Sequence, residues 1–194
     1  LNQLLARAPS RLAKKENKEI ETKIIHSFQI EEDIKRIGLA FELDFSNYHS
    51  AEPLGLALST GENTYYESLD DLKKDKVLIG ILENPNIEKT IYDGKASIYS
   101  LNRYGIKIAG IADDLLLAAY LLDSNVSEDP SLVYRSFGVE LGEKESSLLN
   151  DGDASFAGNM AYNAYRLKEE IERQLKAIDA YELYKKTECH SFSS

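Results

Sequence analysis

The chain has 194 residues and a formal net charge of −10, from 33 acidic and 23 basic side chains. Proteins that bind nucleic acid through its phosphates need clustered Lys and Arg, so this balance argues against autonomous affinity for DNA at physiological salt. A single cysteine, Cys189, excludes an internal disulfide and a cysteine-rich metal site and fits a reducing cytoplasm, and no apolar run is long enough to span a membrane.

The length favours one domain. Residues 1–18 contain Pro9 and are the most basic stretch, which predicts an entry segment that is a linker or a loosely packed helix. Residues 19–187 are predicted to form the domain itself. The polar residues 188–194 are predicted to be a disordered tail or a cloning scar.

The first half of the domain has mainly the pattern of strands. Ile20–Ser27 is predicted to be β, and Ile30, Ile34 and Ile37 stand at helical spacing, which predicts a short helix over 30–37. Three strands are expected next, the last two joined as a hairpin through residues 60–63: Gly38–Phe45, Leu54–Ser59 and Thr64–Glu67.

The second half alternates helices with strands. Helices are predicted at Leu69–Lys74, Val77–Asn84, Lys95–Tyr104, Asp113–Leu122 and Met160–Lys185. A strand is predicted at Lys89–Tyr92, and a strand or its approach at Ile106–Ile111. A loop-rich region with short helical pieces around Leu132–Phe137 covers 123–158. An antiparallel start followed by this alternation predicts an α/β fold with a mixed central sheet flanked by helices.

Two segments resemble a known family. Residues 40–45 (AFELDF) followed by 53–58 (PLGLAL) are similar to the first 3′–5′ exonuclease motif, in which an Asp-x-Glu strand precedes a strand with Gly. Residues 89–95 (KTIYDGK) and 110–123 (GIADDLLLAAYLLD) are similar to the second motif and the helix after it. Together they resemble the degenerate exonuclease-like domain of family A DNA polymerase I from Gram-positive bacteria. The resemblance implies a ribonuclease H-like 3′–5′ exonuclease fold.

The resemblance also implies where a catalytic site would lie. Active members hold two divalent cations with four carboxylates, and a Tyr or His near the last carboxylate orients the water. The first carboxylate pair falls on Glu42 and Asp44, which strand alternation puts on one face, but in the order Glu-x-Asp. The third carboxylate falls on Ser97, the fourth on Asn163 and the tyrosine on Asn159. Because Ser and Asn are neutral, we expect no tightly bound Mg²⁺ or Mn²⁺, no cofactor and no exonuclease activity.

The expected function is therefore that of a non-catalytic, monomeric, cytoplasmic structural domain. Its partner would be the polymerase domain of the same parent chain, a DNA-directed DNA polymerase of replication and repair that binds the DNA. One alternative is a weak exonuclease that uses Mg²⁺ or Mn²⁺ with Glu42, Asp44 and a displaced carboxylate such as Asp93. Another is a free-standing interaction module. Without the resemblance, Asp93 and the pair Asp113–Asp114 fit ordinary helix caps, and Glu42 and Asp44 fit a half-exposed strand.

Overall fold

The computed structural model describes residues 20–44, 52–144 and 153–192. The described residues form one mixed sheet of six strands in the order β1-β4-β3-β2-β5-β6. The neighbouring pairs β2–β3 and β3–β4 are antiparallel, and the other three pairs are parallel. The strands are β1 (Thr22–Ile25), β2 (Arg36–Asp44), β3 (Glu52–Ser59), β4 (Thr64–Ser68), β5 (Glu88–Ile91) and β6 (Ile111–Asp114). The predicted α/β class with a mixed central sheet is confirmed.

Helices cover both faces of the sheet, and each layer has its own apolar core. Alternation along β2 sends Leu39 and Phe41 into one core and Ala40 into the other. No helix in the described ranges is long and apolar enough to cross a membrane. One layer contains α1 (Leu69–Leu72), α2 (Lys76–Glu83) and α3 (Gly94–Asn102), and the other contains α4 (Leu115–Leu122), α5 (Pro130–Ser136), α6 (Ala154–Arg166), α7 (Lys168–Ala177) and α8 (Tyr181–Phe192).

Helix α6 packs unusually close to the sheet, at two glycines. A Cβ atom on Gly38 in β2 would lie 2.0 Å from the carbonyl oxygen of Ala161 and 2.7 Å from the backbone nitrogen of Tyr165. A Cβ atom on Gly158 in α6 would lie 2.0 Å from the hydroxyl oxygen of Thr22 in β1. Glycine at these positions therefore sets the distance between α6 and the strands beneath it.

The helix predicted over residues 30–37 is wrong. Asp33 has a φ of 60°, which an α-helix of L-residues does not accommodate, and β2 already begins at Arg36. Ile30 is 74% exposed whereas Ile37 is fully buried in the sheet, so the three isoleucines do not share an apolar face. The helical spacing of these isoleucines does not reflect a helix, because the chain forms a turn and then enters β2.

The single long helix predicted at Met160–Lys185 is also wrong, because the chain bends twice and forms α6, α7 and α8. The predicted stripe is correct as far as Leu175, which is fully buried, but Ile178 is 52% exposed. Asp179 follows with a φ of 57°, which ends α7 and turns the chain. Helix α8 then continues to Phe192.

Of the two predictions for Ile106–Ile111, a strand or its approach, the structure shows the approach. Strand β6 begins at Ile111 and ends at Asp114, and residues 106–110 approach it in irregular conformation. Gly110 in this approach has a φ of 76°, and a Cβ atom there would lie 2.8 Å from the carbonyl oxygen of Ile87. Gly110, with its positive φ, thus belongs to the irregular segment, and the extended strand begins at the next residue.

Replacement of Gly38 by Ala tests the close packing of α6. The new methyl group meets backbone atoms of α6, which cannot rotate away, so we expect a loss of at least about 2 kcal/mol in the free energy of unfolding by urea. Gly80→Ala in α2 is the matched control, because no atom lies within 4 Å of a Cβ there. That variant should gain about 0.5–1 kcal/mol from helix propensity. Equal stability of both variants would contradict the packing argument.

Candidate functional site

Glu42 is buried near the end of β2, on the side of the sheet that faces α6. Its Oε2 accepts a hydrogen bond from the Tyr66 hydroxyl at 3.0 Å, and its Oε1 accepts one from the backbone N–H of Asp153 at 2.6 Å. The Lys144 Nζ lies 3.9 Å from the same Oε1. Both carboxylate oxygens are thus engaged by groups of the protein itself. Asp44 ends β2, and its side chain lies outside the described part of the chain.

The neighbouring strands explain why Tyr66 can reach Glu42. Gly55 of β3 stands opposite Glu42 in the sheet, and a Cβ atom on it would lie 2.3 Å from the Tyr66 hydroxyl oxygen. The register of β2 and β3 shifts directly after this pair, where Leu43 faces Pro53. A glycine beside a sheet irregularity therefore leaves the space that the phenol occupies.

Glu42 and Ser97 line the same cavity, whose volume is about 50 Å³. Ligand pockets commonly measure about 300–1,000 Å³, so this cavity is smaller than the pockets that take a nucleotide-sized ligand. Phe156 and Met160 of α6 and Tyr92 after β5 occupy much of the surrounding space. The full lining is Phe41, Glu42, Tyr92, Asp93, Ser97, Pro130, Lys144, Asp153, Phe156, Ala157 and Met160.

Ser97 and the two asparagines occupy different surroundings. Ser97 is 2% exposed, and its hydroxyl donates to the carbonyl oxygen of Asp93 at 2.8 Å. Asn163 is buried, and its side-chain amide donates to the carbonyl oxygen of Asn159 at 2.8 Å along α6. Neither asparagine lines the cavity. The structure thus brings Ser97 to Glu42 and leaves Asn159 and Asn163 outside the lining.

Asp114 positions one wall of the cavity. Its carboxylate caps α4, as predicted, through the N–H of Leu116 at 3.0 Å. The same carboxylate also accepts the N–H groups of Asp93 at 3.1 Å and Gly94 at 2.8 Å, where α3 begins. Burial raises the pKa of Asp114 to about 6. Sequence reasoning found the cap but missed the second contact, because no local pattern indicates a bond between residues 20 positions apart.

Asp93 also caps α3, as predicted, and its side chain accepts the N–H of Ala96 at 3.2 Å. Its φ of 57° turns the chain from β5 into the helix. Burial raises the pKa of Asp93 above its usual range. Asp93 therefore serves as a helix cap. The weak-exonuclease alternative would instead use this side chain as a displaced metal ligand.

The residues present do not fit the two-metal site that the resemblance implies. Mg²⁺ and Mn²⁺ require several free anionic oxygens, whereas the oxygens of Glu42 are bonded and the Lys144 ammonium stands beside them. Ser97 contributes only a neutral hydroxyl, which already donates a hydrogen bond to the carbonyl oxygen of Asp93. Within residues 20–44, 52–144 and 153–192, no group of three or more His, Cys, Asp or Glu side chains is placed to hold a metal ion.

A further buried carboxyl group lies on β4, next to Tyr66 in sequence. Glu67 is 1% exposed. Burial raises its pKa to about 9, and the neighbouring Asp75 carboxyl group adds to the shift. Asp75 is itself engaged by the backbone N–H groups of Phe28 at 2.7 Å and Leu78 at 3.0 Å. Glu67 is therefore protonated at neutral pH and is unsuited to bind a cation.

The family profile and the related sequences that match this chain all describe DNA polymerase I. A family profile described as "DNA polymerase I, ribonuclease H-like domain" matches residues 39–145, more than half of the chain. DNA polymerase I of Bacillus subtilis is 25% identical over 153 residues, which cover 73% of this chain and 17% of that protein. The Geobacillus stearothermophilus enzyme is 28% identical over 148 residues, which cover 76% of this chain and 16% of that protein. The chain thus spans a small fraction of these relatives.

Solved structures show the same fold at low identity. Brucella melitensis NrnC superimposes with a TM-score of 0.70 at 14% identity, over 87% of each chain. Escherichia coli RNase D, an exoribonuclease, gives a TM-score of 0.59 at 17% identity, over 82% of this chain and 44% of that one. The POL domain of Mycobacterium smegmatis Pol1 gives 0.59 at 21% identity, over 77% and 25%.

The fold is that of the ribonuclease H-like 3′–5′ exonucleases, as predicted. Within that class, the chain belongs to the family of ribonuclease H-like domains of DNA polymerase I. Its similarity to the polymerases of Bacillus, Geobacillus and Streptococcus confirms the Gram-positive type.

Replacement of Tyr66 by Phe tests the engagement of Glu42. The variant removes one hydrogen bond to a buried carboxylate, so we expect the free energy of unfolding to fall by about 1.5–3 kcal/mol in urea titrations. Tyr99→Phe makes the same chemical change at a side chain that is 70% exposed, and it should stay within about 0.5 kcal/mol of the parent. A silent Tyr66→Phe variant would show that Glu42 is not held by this phenol.

Replacement of Glu67 by Gln tests the buried acid through pH. The folded-state pKa of about 9 exceeds the ordinary value of 4.5, so between these values the folded protein keeps a proton that the unfolded chain releases. The stabilisation is complete below pH 4.5 and is lost as the pH rises through about 9.

Gln carries no titrating group, so the variant should lack this decline, which amounts to at most about 1.4 kcal/mol per pH unit. Thermal unfolding at several pH values measures it. Glu62→Gln, at an exposed turn position, should keep the slope of the parent. A Glu67→Gln variant with that same slope would refute the buried-acid assignment.

Proposed function

We propose that this chain is a catalytically inactive 3′–5′ exonuclease-like domain of a cytoplasmic DNA polymerase I. Its role is structural, beside the polymerase domain of the same chain during DNA replication and repair. In this proposal Glu42, Asp44, Ser97, Asn159 and Asn163 occupy vestigial catalytic positions. The domain is monomeric, and the polymerase domain supplies the main affinity for DNA.

The engagement of Glu42 carries the proposal. A metal-binding carboxylate keeps its oxygens available for a cation, but Glu42 bonds to Tyr66 and to the N-terminus of α6. The carboxylate thus joins β2, β4 and α6 in place of metal ions. The 50 Å³ cavity around it supports the same conclusion, since a 3′-terminal nucleotide does not fit.

A weak exonuclease is the second candidate, because three acidic residues line the cavity. Asp93 and Asp153 accompany Glu42 in the lining. Both aspartates already cap helices, Asp93 at α3 and Asp153 at α6 through the N–H of Phe156 at 2.9 Å. Catalysis would require these caps to break, which costs about 1 kcal/mol each.

Incubation of the chain with end-labelled single-stranded DNA and millimolar Mg²⁺ or Mn²⁺ tests the proposal. We expect no loss of 3′-terminal nucleotides, with chelator-treated protein as the background. Calorimetry with Mn²⁺ should give no two-site isotherm.

Glu42→Gln provides the control against a contaminating nuclease. Cleavage by the parent chain that disappears both in chelator and in Glu42→Gln would end the inactive assignment and favour the weak exonuclease. Cleavage that survives both chelator and Glu42→Gln does not come from metal-dependent chemistry at Glu42, and it does not contradict the proposal.

A further inference from the structure

The outer surface of α1 and α3 carries a strip of cations and tyrosines that is separate from the cavity. The strip consists of Lys73, Lys95, Tyr99, Arg103 and Tyr104 and is called here the basic-aromatic strip. The Arg103 guanidinium lies over the Tyr99 ring, 5.5 Å from its centroid, and the Lys73 ammonium lies over the Tyr104 ring at 4.3 Å. Because Arg103 and Tyr104 are adjacent in the chain, the two cation–ring pairs form one continuous surface.

The helical period of α3 separates this strip from the cavity. Ser97 and Leu101 point inward and are buried, while Lys95 and Tyr99 are exposed one turn apart. Tyr99 is 70% exposed, so its ring is accessible from solvent. The strip also belongs to the α1–α3 layer, whereas α6 and Glu42 face the other core.

The cations of the strip differ from several other basic side chains of this acidic molecule. At Arg135–Glu140, Lys168–Glu88 and Lys176–Glu172, a carboxylate forms an ion pair with the cation. Among the described residues, no carboxylate forms an ion pair with Lys73, Lys95 or Arg103. The strip therefore presents net positive charge on a chain whose total charge is −10.

We propose that the basic-aromatic strip is a contact site for single-stranded nucleic acid. Tyrosine rings accept unpaired bases by stacking, and cations beside the rings attract the phosphates. Backbone contacts of this kind are independent of base sequence and weaken steeply with salt. This inference goes beyond the proposed function, since it needs neither the cavity nor catalysis. The contact is weak alone and gains effect when the rest of a longer chain holds the strand nearby.

Fluorescence anisotropy of a labelled oligothymidine with the full 194-residue chain tests the proposal. The buffer contains a chelator, so metal-dependent cleavage cannot affect the signal, and salt is kept at about 25 mM to preserve phosphate contacts. We expect saturable binding that weakens as salt is raised. Tyr99→Ala should weaken it roughly five- to hundredfold, whereas Tyr99→Phe keeps the ring and should bind like the parent.

Arg103→Ala should weaken binding and lower the salt slope by about 0.7, the value for one lost contact with a single strand. Arg135→Ala removes the same charge from an exposed arginine that Glu140 already neutralises, so its affinity should match the parent. Circular dichroism confirms that each variant is folded.

Three results would overturn the proposal. The first is no saturable binding by the folded parent, as expected of a surface that docks a protein instead. The second is equal weakening by Arg103→Ala and Arg135→Ala, which indicates a diffuse charge effect. The third is a duplex that binds as tightly as the single strand, because paired bases cannot stack on Tyr99. None of these results bears on nuclease activity, so the proposed function is tested independently.

Discussion

The close approach of α6 to the sheet is the constraint on which the cavity depends. Gly38 and Gly158 let the helix lie directly against β2 and β1, where any side chain would collide with backbone or with Thr22. At this depth the N–H of Asp153 reaches Glu42, and Phe156 and Met160 of α6 line the same cavity. The contacts of Glu42 therefore depend on how closely α6 packs on the sheet.

Glu42 shows how the protein itself can satisfy the oxygens of a buried carboxylate. A buried carboxylate is costly unless donors satisfy its oxygens. Metal ions do this in an active two-metal site. Here a phenol, a backbone N–H and a nearby ammonium take that place, with Gly55 providing the room for the phenol. Membership of the family is established by the sequence profile and is consistent with the fold.

Prediction from the sequence succeeded where local pattern and tertiary structure agree. The antiparallel β2–β3–β4 unit, the Asp93 and Asp114 caps and the α/β class all follow from alternation and capping residues. It failed at 30–37 and at 178–180, where Asp33 and Asp179 adopt positive φ. An isolated aspartate gives no sign of that conformation, because it favours caps and ordinary turns equally.

The sequence by itself indicated the family and the strand that bears Glu42. It also predicted neutral residues, Ser97 and Asn163, at the third and fourth carboxylate positions and Asn159 at the tyrosine position. The strand follows from short-range periodicity, whereas the family and the site positions follow from the resemblance of two segments to known exonuclease motifs. Only the tertiary structure decided that Ser97 joins Glu42 in one cavity, that the two asparagines lie outside its lining, and that Asp114 holds α3 in place. Those facts depend on contacts between distant parts of the chain, whose geometry is set by how closely the helices pack on the sheet.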